Sequence, residues 1–267
     1  QPPLSRELAE TLRRYYFAAV SHTDAMLGRM LDAVDTMGLS DNTVVVFASD
    51  HGWHLAHNSF WAKCTLFEAA TRAPVLVHVP GVTDTVTSRH TISSLTEHVD
   101  LMPTVAAAVG LPVPELCPTD STNVALCTEG INLLPLVDAD IDMLRKAVFT
   151  QWPHPFASDT PAAMGYTMRT DEWRYTEWVN MSYPHGVHTP NWSAVCAREL
   201  YFYGEAGETR NVVDDPKYSD SLHLLRSRLH AGWRMALTNQ SWPDLPDVNQ
   251  TFAPTCPFTT VEPTEGQ

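Results

Sequence analysis

A carboxylate, an imidazole and a lone ammonium lie close together in the segment TVVVFASDHGWHLAHNSFWAK, residues 43–63. Asp50 and His51 follow directly after an apolar run, and Lys63 lies twelve residues beyond His51. A carboxylate and an imidazole placed at the end of a strand can hold one metal ion together. A lysine on the next loop can then contact an oxyanion bound to that metal. The spacing therefore predicts a metal-assisted site for an anionic substrate.

Residue chemistry alone leaves other interpretations of these three side chains open. Calcium prefers oxygen ligands, whereas histidine favours zinc or manganese, so the Asp50–His51 pair does not select the ion. The same pair is also typical of an Asp N-cap beside a loop histidine. Lys63 taken by itself fits a solvated loop lysine equally well.

Three further histidines are candidates for a third ligand or a proton donor: His54, His57 and His98. His57 is the best placed of them because it lies within the loop that leads to Lys63. Glu97 and Asp100 form a possible catalytic carboxylate pair. The simpler interpretation is that Asp100 caps a helix over residues 100–109.

A long helix and two apolar strands are predicted to position the segment. Residues 5–37 place apolar side chains every three or four positions, which predicts an amphipathic helix with Ser5 as N-cap and Gly38 at its end. Residues 43–48 and 75–79 are continuous apolar runs, typical of strands buried on both faces. Helix, strand, crossover and strand together predict an α/β fold with a mostly parallel sheet flanked by helices.

The second half of the chain has a different pattern. Short strands separated by turn residues predict a smaller antiparallel sheet, followed by an amphipathic helix over residues 219–233. We therefore expect an α/β domain over 1–140, a smaller C-terminal subdomain over 141–240 and a loosely ordered tail over 241–267. The predicted strands are 147–152, 164–169, 173–179 and 199–203.

Charge and hydropathy exclude some classes of partner. The net charge is −14, from 17 basic and 31 acidic residues, which argues against nucleic acid or an anionic membrane surface. No stretch approaches the roughly 20 apolar residues of a membrane span. The chain begins Gln-Pro-Pro without an initiator Met, and we interpret it as a processed or truncated product.

Four Asn-x-Ser/Thr sequons predict a glycosylated protein that is lysosomal or secreted. They begin at Asn180, Asn191, Asn239 and Asn249. In such an oxidising compartment Cys117 and Cys127 are expected to close a short loop as a disulfide. Cys196 and Cys256 are candidates for a second bridge. Cys64 is then left over, and we expect it to be a buried small apolar residue.

Several blocks of the sequence resemble the sulfatase family. They are FASDHGW followed by WAK, then RAPVLVHVPG, EHVDLMPTVAAAVGL, ELYF and GETRNVVDDPKY. Three others resemble the iduronate-2-sulfatase branch of that family: RYYFAAVSHTDAMLGRMLDAVD, CPTDSTNVALCTEGINLLP and MGYTMRTDEWRYTEWV. The blocks occur in the family's order across roughly residues 10–235, which makes the resemblance specific.

The resemblance implies an alkaline-phosphatase-like fold and hydrolysis of sulfate esters on sulfated glycosaminoglycans, with one calcium ion. By matched position, Asp50 and His51 are the metal ligands, and Lys63 contacts the sulfate and assists the leaving oxygen. Three other residues are assigned to substrate binding by their place in the block: Trp53, Trp61 and His57.

The family's nucleophile has no match in this chain. It is a formylglycine made from the Cys or Ser of a C/S-x-P-x-R motif, and none of the five cysteines has Pro at +2 and Arg at +4. The family's N-terminal aspartate pair is also unmatched. The resemblance therefore implies that the chain is the C-terminal part of a sulfatase and is inactive alone. Its expected partner is the N-terminal portion of the same enzyme, which would bring the formylglycine.

One loop departs from the iduronate-2-sulfatase pattern. Residues 56–60 are Ala-His-Asn-Ser-Phe, where that pattern has Gly-Glu-His-Gly-Glu. Without its glycines the loop is expected to adopt positive φ less freely, although Asn58 tolerates it. This departure leaves the substrate open. Two alternatives are a phosphatase or phosphodiesterase of the same superfamily, and a non-catalytic glycan-binding protein on a sulfatase scaffold.

Overall fold

The structure is a computed structural model that describes residues 4–84, 91–118, 124–137, 141, 143–155, 162–187 and 189–242. The chain divides into two compact units. Unit 1 comprises Gln1–Lys63, Glu68–Ser93 and His98–Asp142, and unit 2 comprises Cys64–Phe67, Ser94–Glu97 and Met143–Gln267.

Unit 1 begins with the predicted long helix, α1, at Arg6–Thr36. Ser5 caps it, since its Oγ accepts a hydrogen bond from the Leu8 N–H at 3.3 Å. The helix ends before Gly38, which has φ +67° and donates its N–H to the Asp35 carbonyl oxygen at 2.9 Å. No residue of α1 is buried among the described residues. None of the described helices is both long enough and apolar enough to cross a bilayer.

The other elements of unit 1 are short. They are β1 (Val45–Ala48), β2 (His54–Leu55), β3 (Trp61–Ala62), α2 (Glu68–Thr71), β4 (Val75–His78) and α3 (Leu101–Ala108). Strand β1 pairs with β4, and β2 pairs with β3. Both pairs are antiparallel.

The two strands predicted at residues 43–48 and 75–79 were expected to belong to a mostly parallel sheet. They pair with each other, and this pairing is antiparallel, so the prediction is wrong here. Val45 lies opposite His78 and Ala48 opposite Val75, which is antiparallel register. A parallel neighbour needs a crossover, usually a full helix. The connection here contains only the β2–β3 hairpin and the four-residue helix α2. The strands are also partly exposed rather than buried on both faces, with Leu76 at 60%.

The loop after α3 is held by a disulfide and by one buried carboxylate. The predicted Cys117–Cys127 bridge is present. Asp100 is fully buried, and its Oδ1 accepts the Ile131 N–H at 2.9 Å. The expectation that its side chain caps α3 is wrong. Asp100 has helical backbone angles (φ −76°, ψ −17°), whereas a capping side chain needs an extended backbone.

The other cysteines fall in or near unit 2. Cys196 is disulfide-bonded, and its predicted partner Cys256 lies outside the described residues. Cys64 is a free thiol, as expected, but it is half-buried rather than buried. Its φ of +75° is part of the tight turn that follows Lys63.

Unit 2 contains the predicted antiparallel sheet and helix. Its elements are β5 (Val148–His154), β6 (Ala163–Arg169), β7 (Trp173–Ser182), β8 (Thr189–Phe202) and α4 (Ser219–Ala231). The strands pair in sequence order. Strand β8 begins ten residues earlier than predicted. The prediction missed its first part because Pro190 and the polar residues around it are typical of a turn. Proline is tolerated there because β8 ends the sheet in the described structure.

The core of unit 2 lies between the sheet and α4. Tyr175 and Leu200 are fully buried and belong to one cluster with Leu225 of the helix. Glu177 is fully buried as well, and it accepts hydrogen bonds from the Tyr175 hydroxyl at 2.6 Å and from His230 Nε2 at 2.8 Å. Burial, followed by the nearby Glu177 carboxylate, raises the pKa of Tyr175, so the phenol remains a donor.

Candidate active site

Asp50, His51 and Lys63 converge at one point of unit 1. Lys63 Nζ lies 2.8 Å from His51 Nε2, and Asp50 Oδ2 lies 3.2 Å from the same nitrogen. The Asp50 side chain is 82% exposed and that of His51 is 31% exposed. A carboxylate, an imidazole and an ammonium therefore share one solvent-accessible position.

Hydrogen bonds fix which ring nitrogen of His51 carries the proton. Its Nδ1 lies 2.8 Å from the Gly52 carbonyl oxygen, which can only accept, so Nδ1 is the donor. With the proton on Nδ1, Nε2 presents a lone pair to which Lys63 donates at 2.8 Å. Because Asp50 Oδ2 also presents lone pairs there, the two acceptors need a cation between or beside them. Lys63 supplies that positive charge, and a metal ion fits the same requirement.

Close backbone packing holds the His51 segment in place. The Gly52 N–H donates to the Ala70 carbonyl oxygen at 2.8 Å. A Cβ on Gly52 would meet the Ala69 carbonyl oxygen at 2.2 Å, so only glycine fits. The Ser49 hydroxyl donates to the His51 carbonyl oxygen at 2.8 Å. His98 Nε2 lies 2.8 Å from the Ser49 carbonyl oxygen and thus joins a residue 49 positions away to this turn.

The loop that carries Lys63 stores backbone strain. In the described part of the chain the non-glycine residues with positive φ all fall between positions 56 and 64: Ala56, Asn58, Ser59, Ala62 and Cys64. Each L-residue in this region costs on the order of 1–2 kcal/mol. Such strain is concentrated at functional sites.

The loop adopts positive φ at Ala56 and Ser59 although neither is glycine, and Asn58 adopts it as expected. The hairpin still closes through the same number of residues. Ala56 donates its N–H to the Phe60 carbonyl oxygen at 3.0 Å, and Phe60 donates to that of His57 at 2.9 Å. These bonds require left-handed residues whatever their side chains.

Aromatic and cationic side chains of α1 support the hairpin. Trp53 is 38% exposed and stacks between His51 and Tyr16, with ring centroids 6.3 Å and 6.5 Å away. Arg13 donates to the Leu55 carbonyl oxygen at 3.0 Å and lies over the Trp61 ring at 5.7 Å. Each of the two tryptophans therefore contacts a side chain of α1.

The remaining candidate histidines occupy different environments. His57 is exposed, and its Nδ1 accepts the Leu55 N–H at 3.4 Å, so its other nitrogen faces solvent as a donor. His54 is fully buried, with its ring 5.6 Å from that of Phe60. His98 engages the backbone of Ser49, as described above. Neither His54 nor His98 joins Asp50 and His51.

The donor set fits part of a metal site. Asp50 Oδ2 and His51 Nε2 are two converging ligands, whereas calcium takes about six to eight oxygen ligands. Within the described ranges no group of three or more His, Cys, Asp or Glu residues could hold an ion. The residues present can thus form one side of a coordination sphere, and the other ligands must come from elsewhere.

Comparison with known sequences shows which family the first part of the chain matches. Residues 1–111, which include the whole Asp50–Lys63 segment, match the family model described as Sulfatase. The chain carries a sulfatase-family domain. Mouse iduronate 2-sulfatase is 35% identical over 266 residues, which cover 84% of this chain and 48% of that protein. Human iduronate 2-sulfatase is 33% identical over 264 residues, with the same shares.

The chain spans about half the length of these relatives. A solved structure of the phosphonate monoester hydrolase from Silicibacter pomeroyi superposes with a TM-score of 0.65. The superposition covers 85% of this chain and 41% of that one, at 24% identity. At this identity the likeness establishes the fold alone. The chemistry of the sulfatase-family domain has to be inferred from its own residues.

Three residues of the sulfatase-family domain were missed by sequence reasoning: Arg13, Tyr16 and Gly52. His98 was a candidate ligand or proton donor, and the structure instead places it on the backbone of Ser49. Gly52 carried a usable signal, because a glycine between a histidine and a tryptophan indicates a close backbone approach. Arg13 and Tyr16 support the site from positions that precede it by more than 30 residues. Their contacts depend on tertiary packing, which local spacing does not encode.

The sequons lie in unit 2. Asn180 is half-buried in β7, Asn191 is exposed in β8, and Asn239 is exposed in the turn after Leu237. Asn249 lies outside the described residues.

Proposed function

We propose that this chain supplies the metal-binding and sulfate-binding half of a sulfuric ester hydrolase active site. The observation that carries the proposal is the convergence of Asp50 Oδ2, His51 Nε2 and Lys63 Nζ on one exposed point. The family match supports a sulfate ester as the substrate. Similarity to iduronate 2-sulfatases supports sulfated glycosaminoglycans as the substrate class.

Each residue has a defined task in this proposal. Asp50 and His51 would hold one calcium ion, which would supply positive charge to offset the negative charge of the sulfate. Lys63 moves from His51 Nε2 to the sulfate, where its ammonium stabilises charge as it develops on the leaving oxygen. Trp53, Trp61 and His57 line the approach of the sugar, since tryptophan rings and an exposed donor suit a carbohydrate.

The proposed site is completed by the N-terminal portion of the same enzyme. That portion would bring the formylglycine nucleophile and the missing metal ligands. Two observations support this arrangement: the relatives are about twice as long, and α1 exposes many apolar side chains. Those exposed by 45% or more include Leu8, Tyr15, Phe17, Val20 and Met30.

Co-expression tests this function. The chain alone is expected to release no sulfate from an aryl sulfate or from a 2-O-sulfated uronic acid in calcium buffer. The chain co-expressed with an N-terminal portion that carries a C/S-x-P-x-R motif is expected to release it. Sulfate release by the pure chain would refute the divided site.

The same assay separates the alternatives. Hydrolysis of a phosphate diester but not of a sulfate ester would favour the phosphodiesterase interpretation. Binding of a sulfated glycan without hydrolysis, by the co-expressed assembly, would favour a non-catalytic glycan-binding protein. Neither outcome is expected, because the family match supports a sulfate ester as the substrate and Asp50, His51 and Lys63 lie together.

Replacing Asp50 by asparagine is expected to weaken calcium binding by the assembled enzyme at least about 10-fold, since it removes the charged oxygen ligand. Isothermal titration calorimetry with calcium measures the change directly. Asp41→Asn is the matched control, because Asp41 is exposed in the turn before β1. Equal calcium affinity of the Asp50→Asn variant and the parent would remove Asp50 from the metal site.

The proposed location is the lysosome or the extracellular space. The Cys117–Cys127 disulfide supports an oxidising route, because such bridges are rare in reducing compartments.

A further inference from the structure

Asn180 and Asn191 are direct cross-strand partners of β7 and β8. Each opens a sequon, Asn180-Met181-Ser182 and Asn191-Trp192-Ser193. Directly opposed residues of an antiparallel pair project from the same face, with Cβ atoms about 5 Å apart. A sugar attached to either amide therefore occupies the space in front of the other, although the two sequons are eleven residues apart in sequence.

The two asparagines differ in how much free space surrounds the side chain to which a glycan would be attached. Asn191 is exposed on β8, which ends the described sheet. Its Oδ1 accepts the Ser193 N–H at 3.1 Å, which turns the oxygen of the amide towards its own backbone. The other end of the amide, Nδ2, is then directed away from that bond.

Asn180 is more confined. It lies on the inner strand β7, with Asn191 on one side and Ala163 of β6, which is fully buried, on the other. Asn180 itself is half-buried, whereas Asn191 is exposed. A glycan stem at Asn180 would therefore leave the sheet between the fully buried Ala163 and Asn191, with less free space than one at the edge-strand residue Asn191.

We infer that Asn191 carries the N-linked glycan of this pair in the folded protein and that Asn180 remains unmodified. In the reaction, Asn191 Nδ2 forms a bond to C1 of the first sugar of a lipid-linked oligosaccharide. Nδ2 loses one proton, and the lipid pyrophosphate leaves with the electrons of the broken C1–O bond. A chain modified at both positions crowds one face of the sheet and is not recovered folded.

This inference rests on the secretory route of the proposed function and is independent of sulfatase chemistry. The sequence offers a direct assay, because Arg174 and Arg198 are consecutive tryptic sites. Residues 175–198 thus form a single peptide that contains both sequons. Its mass after reduction reports how many of these two sequons carry a glycan.

The experiment expresses the full chain in cultured animal cells behind a secretion leader and analyses the secreted protein. Enzymatic deglycosylation in ¹⁸O-water marks each formerly modified asparagine. We expect one glycan on the peptide, with the mark at Asn191. Two glycans, a mark at Asn180, or an unmodified peptide would each overturn the inference.

Matched variants provide a second measurement. Asn191→Gln is expected to remove the glycan from the 175–198 peptide, whereas Asn180→Gln is expected to leave it unchanged. Loss of the glycan in Asn180→Gln would overturn the assignment. Glycan occupancy is read independently of sulfate release, so inactivity of the assembled enzyme does not affect the result.

Discussion

Lys63→Ala in the assembled enzyme is expected to lower kcat for sulfate-ester hydrolysis about 100- to 1,000-fold. Lys63 is the cation that contacts His51 Nε2, at 2.8 Å, and the proposal places it against the leaving oxygen in the transition state. Removal of one preorganised donor to developing negative charge typically costs about this much. Steady-state kinetics with an aryl sulfate at saturating calcium measures the effect.

The control for Lys63→Ala is Lys217→Ala. Lys217 is an exposed lysine of unit 2 whose ammonium pairs with Glu205 at 2.6 Å. Its replacement is expected to leave kcat unchanged, because an exposed ion pair contributes little even to stability. Lys63→Arg adds a test of geometry, since a guanidinium keeps the charge but not the compact shape. Full activity of Lys63→Ala would remove Lys63 from the catalytic step.

Gly52→Ala is expected to disrupt the site without changing any ligand. The added Cβ would lie 2.2 Å from the Ala69 carbonyl oxygen and 2.9 Å from that of Arg72. Both atoms belong to backbone, so the 50–52 turn must shift. A displacement of about 1 Å at a catalytic centre can cost on the order of 100-fold in rate. Overpacking of this kind also destabilises by about 1–3 kcal/mol.

Gly28→Ala is the matched control for Gly52→Ala. Gly28 lies within α1, and a Cβ there has nothing within 4 Å. Alanine in a helix interior is favoured over glycine by about 0.5–1 kcal/mol, so this variant is expected to be as active as the parent and slightly more stable. Thermal unfolding and sulfate release together distinguish the two variants. Parent-like activity in Gly52→Ala would mean that the turn does not position His51.

The parts of the fold that could be predicted are those with a regular sequence pattern. Capping and periodicity located α1 and α4 within two residues at each end, because side-chain spacing directly encodes a helical face. Alternating strands separated by turns predicted the antiparallel sheet of unit 2. The direction of β4 relative to β1 was missed, since continuous apolar runs indicate burial and carry no information about strand direction.

The types of residue at the candidate site could be predicted from the sequence. Most of the contacts that hold those residues in place could not. Asp50, His51 and Lys63 were identified from their order after a strand, and the structure brings the three together. The left-handed residues Ala56 and Ser59 were not expected, because hairpin closure overrides the preference of their side chains. The bond from His98 to Ser49 spans 49 positions and arises only when the chain has folded.

The most direct test is a crystal structure of the assembled enzyme with calcium and sulfate. The account predicts a calcium ion bound by an Asp50 carboxylate oxygen at about 2.3–2.6 Å and by His51 Nε2. It also predicts Lys63 Nζ within about 2.9 Å of a sulfate oxygen. Calcium bound away from Asp50 and His51, or Lys63 directed into solvent while sulfate is bound, would contradict it.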